Sequence, residues 1–429
     1  MASPEAPSRL NPDRLRWIDY WIGVPLCFVL TVLSKLGGRG GPSGVPRNVL
    51  FIELAEMGST VLACPAVHRL RSSFPECRVF FLLFKHIDES VKVLNLVPEA
   101  HVLTIDVSSP ATLVRDTWRF MRQARRLRID TCVNLEMFAR YSAMLTSLSG
   151  ARLRVGFHPF TQKGLYIGDL FTHRVIYNPH IHTWQSLLAL VQALEAPAGA
   201  RGPAAVRDEL PMGKFLAASP AEARVPKLPS DPSARRRLET LLQEQAPDVS
   251  GKRLIVVNPN ASKLISIRKW PLDRYAELVR RLLDDPRNAC VITGLASERE
   301  DAQFILDRVK SDRLVSLAGQ TSLRELIELF SMAELLITND SGPAHFAALT
   351  DVHVIVFFGP ETPELYRPLT TRCTVMYSNY ACSPCVSAYN QRKSVCTNNR
   401  CLQEISVEAV HGAVGQILDP AVVSGFSRT

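Results

Sequence analysis

Two kinds of apolar run alternate along most of the chain. Short runs without polar interruption, such as "NVLFIEL", "CRVFFLLF" and "HVLTI", read as strands buried on both faces. Between them lie "STVLACPAVHRLRSSF", "DESVKVLNLV" and "LVRDTWRFMRQARRLR", whose apolar positions recur at helical spacing. "TCVNL" closes this series, and the pattern restarts at Lys252 with "RLIVVNPN", "PLDRYAELVRRLLDD" and "NACVITGL". It continues through "SEREDAQFILDRVK", "LVSLAG", "SLRELIELFSMAE", "LLITND", "SGPAHFAALT" and "HVIVFFGP". Each half is therefore expected to be α/β, a doubly wound parallel sheet covered on both faces. The expected boundaries are an N-terminal segment and linker at 1–46, a first domain at 47–205, a connection at 206–250 and a second domain at 251–429. The connection lies in an Ala-, Pro- and charge-rich stretch beginning near 198. Two such domains in tandem would face a cleft with the carboxyl ends of their strands. Two unrelated domains on a string fit the same periodicity.

Residues 17–36, "WIDYWIGVPLCFVLTVLSKL", carry a different signal. A bilayer-spanning helix needs roughly 20 apolar residues. This run is short, is interrupted by Gly23 and Pro25, and has Asp19 near its start, while Trp17, Tyr20 and Trp21 resemble an interfacial aromatic belt. Arg14 and Arg16 precede it and Lys35, Arg39 and Arg47 follow, so charge asymmetry sets no orientation. No small-residue cleavage site follows, and "GGRGGPSG" reads as a flexible linker detaching the segment from what comes next. The expectation is a membrane anchor, spanning or half-inserted, with a buried core helix as the alternative.

With 429 residues the chain exceeds one compact core, and a net charge of +9 favours an anionic partner. A membrane surface, a nucleic acid and a phosphorylated substrate all qualify. Neither a zinc-finger Cys/His pattern nor an aromatic RNA-binding signature is present, so nucleic acid is not expected as a partner.

Two stretches could carry chemistry. In "LLITNDSGPAHFAALT" a strand runs into a helix whose first residues are Asp340, Ser341, Gly342 and Pro343, with His345 one turn in. Such a start is an ordinary helix cap, or a place where unpaired N–H groups and the dipole hold an anion. In "NPNASKLISIRKWPLDRYAELV" a strand ends in a loop holding Ser262, Lys263, Arg268 and Lys269. That loop is a solvated basic run, or a set of cations for a leaving diphosphate.

Taken in order, these segments resemble glycosyltransferase family 9, the lipopolysaccharide heptosyltransferase-like enzymes. The resemblance lies in "NPNAS", "RKWP", "GLASE" and "TNDSGPAHFAALTDVHVIVFFGP", and in the opening "NVLFIELAEMGSTVLACPAVHRLRSSFP", "THRV" and "HTWQSLLALVQALE" of the first half. It covers roughly Arg47 to the end. It implies a GT-B architecture, two Rossmann-like domains with the nucleotide-diphosphate sugar held by the second and the acceptor by the first. It also implies roles: Lys269 on the diphosphate, Glu298 on the ribose hydroxyls, and Asp340, Ser341, Gly342, Pro343 and His345 around the diphosphate and sugar, with Ser262 in the same donor loop. No catalytic metal is implied.

The first half departs from the family pattern. Family heptosyltransferases carry a catalytic aspartate directly after the glycine of the first strand–helix loop; in "ELAEMGST" that place holds Ser59. A serine hydroxyl is a poor base at neutral pH. Glu56 is the first candidate for the missing carboxylate and Glu53 the second, with His182 of "HIHTWQ" as a further acid/base or acceptor-binding residue. The expected reaction is single-displacement, inverting transfer to a lipid-linked or envelope glycan such as lipopolysaccharide core. It would take place at the inner membrane with the catalytic domains cytoplasmic and an anionic lipid surface as partner. The alternatives are a catalytically degenerate homologue that binds nucleotide sugar or glycan, and another GT-B-type enzyme such as an epimerase.

Four of the ten cysteines are bunched, Cys382, Cys385, Cys396 and Cys401, in "CSPCVSAYNQRKSVCTNNRC". C-x2-C, ten residues, then C-x4-C is compatible with a tetrahedral structural zinc site. Free thiols and an iron–sulfur cluster are the other readings. The remaining six lie in apolar contexts and read as core.

Overall fold

The apolar runs become strands of two separate parallel sheets. The structure, a computed structural model, describes residues 19–36, 44–158, 165–195, 218–261, 263–390 and 392–419. The chain divides into two compact units, Met1–Arg224 and Val225–Thr429.

The first unit contains, in order, α1 (Gly23–Leu36), β1 (Asn48–Ile52), α2 (Met57–Leu62), α3 (Cys64–Ser73), β2 (Arg78–Phe84), α4 (Glu89–Leu94) and β3 (Val102–Ile105). It continues with α5 (Pro110–Arg126), β4 (Thr131–Asn134), α6 (Arg140–Leu148), β5 (Leu153–Phe157), β6 (His173–Val175) and α7 (Thr183–Glu195). Its six strands lie in the order β3-β2-β1-β4-β5-β6, all parallel. β1 is buried along its whole length, which is why "NVLFI" shows no polar alternation. α5 begins at a capping box: Ser109 Oγ accepts from Thr112 N at 3.1 Å and Thr112 Oγ1 accepts from Ser109 N.

The second unit contains α8 (Pro232–Gln245), β7 (Arg253–Asn258), α9 (Leu272–Leu283), β8 (Asn288–Ile292), α10 (Arg299–Val309), β9 (Leu314–Ser316), α11 (Leu323–Met332) and β10 (Leu335–Asn339). Then come α12 (Gly342–Ala347), β11 (His353–Phe358), α13 (Pro363–Tyr366), β12 (Cys373–Tyr377), α14 (Arg400–Gln403) and α15 (Val407–Leu418). Its sheet runs β12-β11-β10-β7-β8-β9. Counted within the unit this is the same 3-2-1-4-5-6 order as the first, the doubly wound arrangement expected from the sequence. Trp270, Tyr275 and Phe357 anchor the core, with Trp270 stacked on Phe357 at 4.7 Å between centroids and its indole N–H donating to Ile405 O at 3.0 Å.

Two stretches expected outside the compact domains pack against them. Residues 225–250, counted with the connection, lie in the second unit: α8 packs on α11, and buried Glu328 accepts from Ser230 Oγ at 2.7 Å and Asp231 N at 2.8 Å. The N-terminal helix, expected to be detached, is docked on α6. Buried Arg140 of α6 pairs with Asp19, and Thr31 Oγ1 accepts from Asp169 N at 2.9 Å. Asp19–Leu36 is long and apolar enough to cross a membrane by length and composition, a test that core helices and signal sequences also pass.

Candidate functional site

In a sheet of order 3-2-1-4-5-6 the winding reverses between the first and fourth strands, and the crevice outside their carboxyl ends is where such folds hold ligands. In the second unit that place is the end of β7 beside the end of β10. The stretch "NPNA" leaves β7 there and "NDSGP" leaves β10. Asn339, fully buried, ties the two together: Nδ2 donates to Pro259 O at 3.0 Å and Asn260 O at 3.2 Å, while Oδ1 accepts from Trp270 N at 2.8 Å. One side chain thus fixes both loops and the start of "WPLDRY".

The charged groups follow from this frame. Arg268, just before Trp270, donates to Asp340 Oδ2 at 3.2 Å, and both side chains are nearly buried. Burial holds the Asp340 carboxyl above the usual carboxylate range, with the Arg268 charge opposing it. Glu361, after β11 and 2% exposed, is pushed up to about 8 by burial and by the Asp340 charge, against the pull of Arg268. Its Oε1 lies 3.9 Å from Arg392 Nε. Asp340, Arg268 and Glu361 therefore form one coupled cluster, in which Arg268 Nε and Glu361 Oε2 are buried without a hydrogen-bond partner. A partly buried guanidinium with a buried, unpartnered Nε, beside a carboxyl raised to about 8, is suited to an anion that brings its own acceptors.

Lys269 pairs with Asp301 in the first turn of α10, and its own carbonyl accepts from Asn399 Nδ2 at 2.7 Å. Glu298 stands at the N-terminus of α10, where its Oε2 accepts from Leu295 N at 2.8 Å. Gly294 makes room for it: a Cβ there would meet Asn260 Nδ2 at 2.7 Å and Glu298 Oε2 at 3.1 Å. Ser341 caps α12 through its backbone only, since its hydroxyl donates to Asn339 O at 3.1 Å. Gly342 and Pro343 open that helix, and His345 is buried within it. Ser262 lies outside the described residues.

The same switch point in the first unit lies at the ends of β1 and β4. Glu53, Glu56 and Ser59 follow β1, and the Ser59 hydroxyl donates to Glu56 Oε2 at 3.0 Å. Glu53 is buried at the strand end, 3% exposed, while Glu56 and Ser59 are half-buried. Glu136, which the sequence did not single out, follows β4 and crosses to the β1 loop, its Oε1 accepting from Leu54 N at 2.7 Å. Burial raises its pKa, opposed by the N–H groups of Leu54 and Ala55. A raised carboxyl at the switch point is suited to take up a proton. His182 caps α7: its Nδ1 accepts from Trp184 N at 3.3 Å and its carbonyl accepts from Gln185 N and Ser186 N.

The zinc reading of the cysteines finds no support in their placement. All four are free thiols, with Cys382 exposed and Cys401 buried under Gly359, where a Cβ would meet its sulfur at 2.9 Å. The Cys396 thiol donates to Asn398 O at 3.2 Å, and Cys385 Sγ accepts from Ser394 Oγ at 3.3 Å. Among the described residues no group of three or more His, Cys, Asp or Glu is arranged to hold a metal ion.

Asp301, Asn339, Glu136 and Glu361 are the residues that sequence reasoning left out of the site. Asp301 and Asn339 sit beside residues that were named, whereas the two glutamates are brought in only by strand order.

The chain is similar to lipopolysaccharide heptosyltransferase 2 of Salmonella typhimurium, 29% identical over 146 residues that make up 32% of this chain and 42% of that protein. It is similar over a longer span to the lipopolysaccharide core heptosyltransferase OpsX of Haemophilus influenzae, 20% identical over 74% of this chain and 80% of that protein. Its fold matches that of the ADP-heptose lipopolysaccharide heptosyltransferase II from E. coli, with a TM-score of 0.63 at 18% identity over 86% of this chain and 98% of the other. A family 9 glycosyl transferase from Veillonella parvula matches at a TM-score of 0.66 and 17% identity, over 87% and 97%. The family model for glycosyltransferase family 9 (heptosyltransferase) matches residues 117–395, more than half of the sequence, and the chain belongs to that family.

Proposed function

We propose that the chain is a membrane-associated, inverting glycosyltransferase that moves a sugar from a nucleotide-diphosphate donor to a lipid-linked or envelope glycan. ADP-heptose and lipopolysaccharide core are the first donor and acceptor to try, because the similar E. coli protein is described as an ADP-heptose lipopolysaccharide heptosyltransferase. The observation that carries the reading is the second unit's switch point. There Asn339 holds the β7 and β10 loops together beside partly buried Arg268, with Lys269 and Glu298 on the neighbouring loop and helix start.

In this reaction an acceptor hydroxyl attacks the anomeric carbon, its proton passes to a carboxylate, and the bond from that carbon to the diphosphate oxygen breaks. Arg268 and Lys269 meet the charge that develops on the leaving nucleoside diphosphate, so the step as proposed uses no metal. Glu298 holds the ribose hydroxyls, and Ser341, Gly342 and His345 border the diphosphate and sugar. Glu56 is the base, with the Ser59 hydroxyl donating to it in place of the family's aspartate. The catalytic units work at the cytoplasmic side of the inner membrane, where nucleotide sugars are available.

The test is release of nucleotide from ADP-heptose and other nucleotide-diphosphate sugars with membrane lipid extract or core acceptor. Glu56→Gln is expected to lower kcat by about 10²–10⁴, the range of general-base contributions. Retained turnover in Glu56→Gln together with loss in Glu136→Gln would move the base to Glu136. Tight donor binding without release on any acceptor would favour the binding homologue.

A further inference from the structure

The helical layer α5–α6–α1 of the first unit carries features that sugar transfer leaves unused. α1 has two unlike sides. Gly23, Cys27 and Thr31, one helical turn apart, are buried against the unit. Gly168, at φ +72°, permits that contact: a Cβ there would meet Thr31 Oγ1 at 2.7 Å and the Cys27 carbonyl oxygen at 2.8 Å. Arg140 binds the same helix through Asp19, and its Nε donates to Tyr166 O at 2.8 Å. On the other side Trp21, Phe28 and Leu33 are 61%, 59% and 58% exposed.

α5 flanks α6 as well, and its outer side repeats the theme with charge added. Trp118 is 59% exposed, and the Arg122 guanidinium lies 4.6 Å from the centre of its ring. Arg115 and Arg119 are more than half exposed on the same helix. Exposed aromatics with arginines beside them, next to an apolar helix side, match the chemistry of an anionic bilayer surface.

We propose that this layer is a membrane-docking face on which α1 lies in the interfacial plane of an anionic bilayer, rather than crossing it. The helix Asp19–Leu36 has 18 residues, about 27 Å at 1.5 Å per residue, which barely matches a hydrocarbon core of about 30 Å. Crossing would also lift α1 off Gly168 and leave Arg140, 1% exposed, without Asp19. Lying flat keeps every one of these contacts and buries Trp21, Phe28 and Leu33 in lipid. The inference deepens the membrane-associated half of the proposed function and is independent of the transfer chemistry.

Flotation of the full chain with phosphatidylcholine vesicles, with and without phosphatidylglycerol, tests it, alongside alkaline carbonate extraction of native membranes. Binding is expected to require the anionic lipid and to weaken with salt, and carbonate is expected to release the protein. Phe28→Asp with Leu33→Asp should lower vesicle binding by roughly tenfold or more. Arg119→Glu with Arg122→Glu should lower it about as much and flatten the salt dependence. Both double variants alter exposed residues only, and nucleotide release with a water-soluble acceptor should be unchanged. Retention in the carbonate pellet, or vesicle binding unaffected by both double variants, would overturn the proposal. So would loss of a dimer, read by light scattering, in Phe28→Asp/Leu33→Asp without any vesicle binding by the parent. A chain that binds vesicles as described but releases no nucleotide refutes the transferase reading and leaves the docking face standing.

Discussion

Replacing Glu361 by Gln should change how the second unit's stability depends on pH. The carboxyl has a usual value of 4.5 and is pushed up to about 8 in the folded chain, by burial first and by the Asp340 charge second. Below pH 4.5 both folded and unfolded chains hold its proton, so the group makes no difference there. From 4.5 up to about 8 the unfolded chain has released the proton and the folded chain has not, so stability falls as pH rises. One proton corresponds to about 1.4 kcal/mol per pH unit, and the difference 8 − 4.5 = 3.5 units gives about 5 kcal/mol across the window. The amide in Glu361→Gln carries no acidic proton to lose, so this slope should vanish in the variant. Asp340 is also raised, but chiefly by burial, so its contribution persists in both chains and cancels in the comparison. The assay is urea unfolding from about pH 5 to about pH 8, with exchange of the β10 and β11 amides followed by mass spectrometry to isolate this unit. Wild type and variant should diverge steadily with pH, the variant becoming the more stable. Parallel curves would mean that Glu361 is ionised in the folded chain, and the account of a protonated carboxyl beside Arg268 would fall.

Other perturbations separate chemistry from scaffolding. Lys269→Ala should lower the rate of nucleotide release by about 10²–10³, as loss of one group aimed at developing charge does, while a fall under about threefold would remove Lys269 from the diphosphate. Asp301→Asn frees the same ammonium from its carboxylate partner and should tighten donor binding in calorimetry; unchanged affinity would show that the pair does not compete with the donor. His182→Ala should cost about 1 kcal/mol of stability with kcat unchanged, because the ring caps α7; a large loss of kcat would restore it as a catalytic candidate. Asp19→Ala should destabilise the docking of α1 by about 1–3 kcal/mol, less than for a fully buried pair because Asp19 is 29% exposed, and should speed amide exchange in α1.

The sequence made the strands easy to find and their neighbours hard to find, for a physical reason. "NVLFI" and "VIVFF" belong to strands with water on neither face, so composition alone marks them. Strand order depends on contacts between distant segments, and no local pattern states that β1 lies beside β4 or β7 beside β10. The proposed donor residues were legible because Asn258–Trp270 and Asn339–His345 each keep their chemistry within one short run. Glu136 is different: it acts on Leu54, 82 positions away, and "NLE" after a strand has no feature to distinguish it from any other loop. Glu361 was hidden in the same way, since its raised pKa comes from Asp340 and Arg268 on other loops.

The N-terminal helix differs from its sequence reading in one respect, its docking on the first unit. Its composition fits an anchor, and the Gly-rich run after it fits a tether, yet neither reports the side on which Cys27 and Thr31 meet Gly168 and Gly23 meets Arg140. Small residues four apart on an apolar helix mark a close packing face, as they do when helices meet in lipid. The helix thus has one side committed to protein and only the other exposed. Ser59 gives a parallel case within the site. Its hydroxyl contacts Glu56 three residues earlier, so the carboxylate missing from the family's position has a neighbour in the same turn. In the proposed reaction, Ser59 therefore moves the question of catalysis from whether a carboxylate is present in the loop to which of Glu56 and Glu136 would receive the proton.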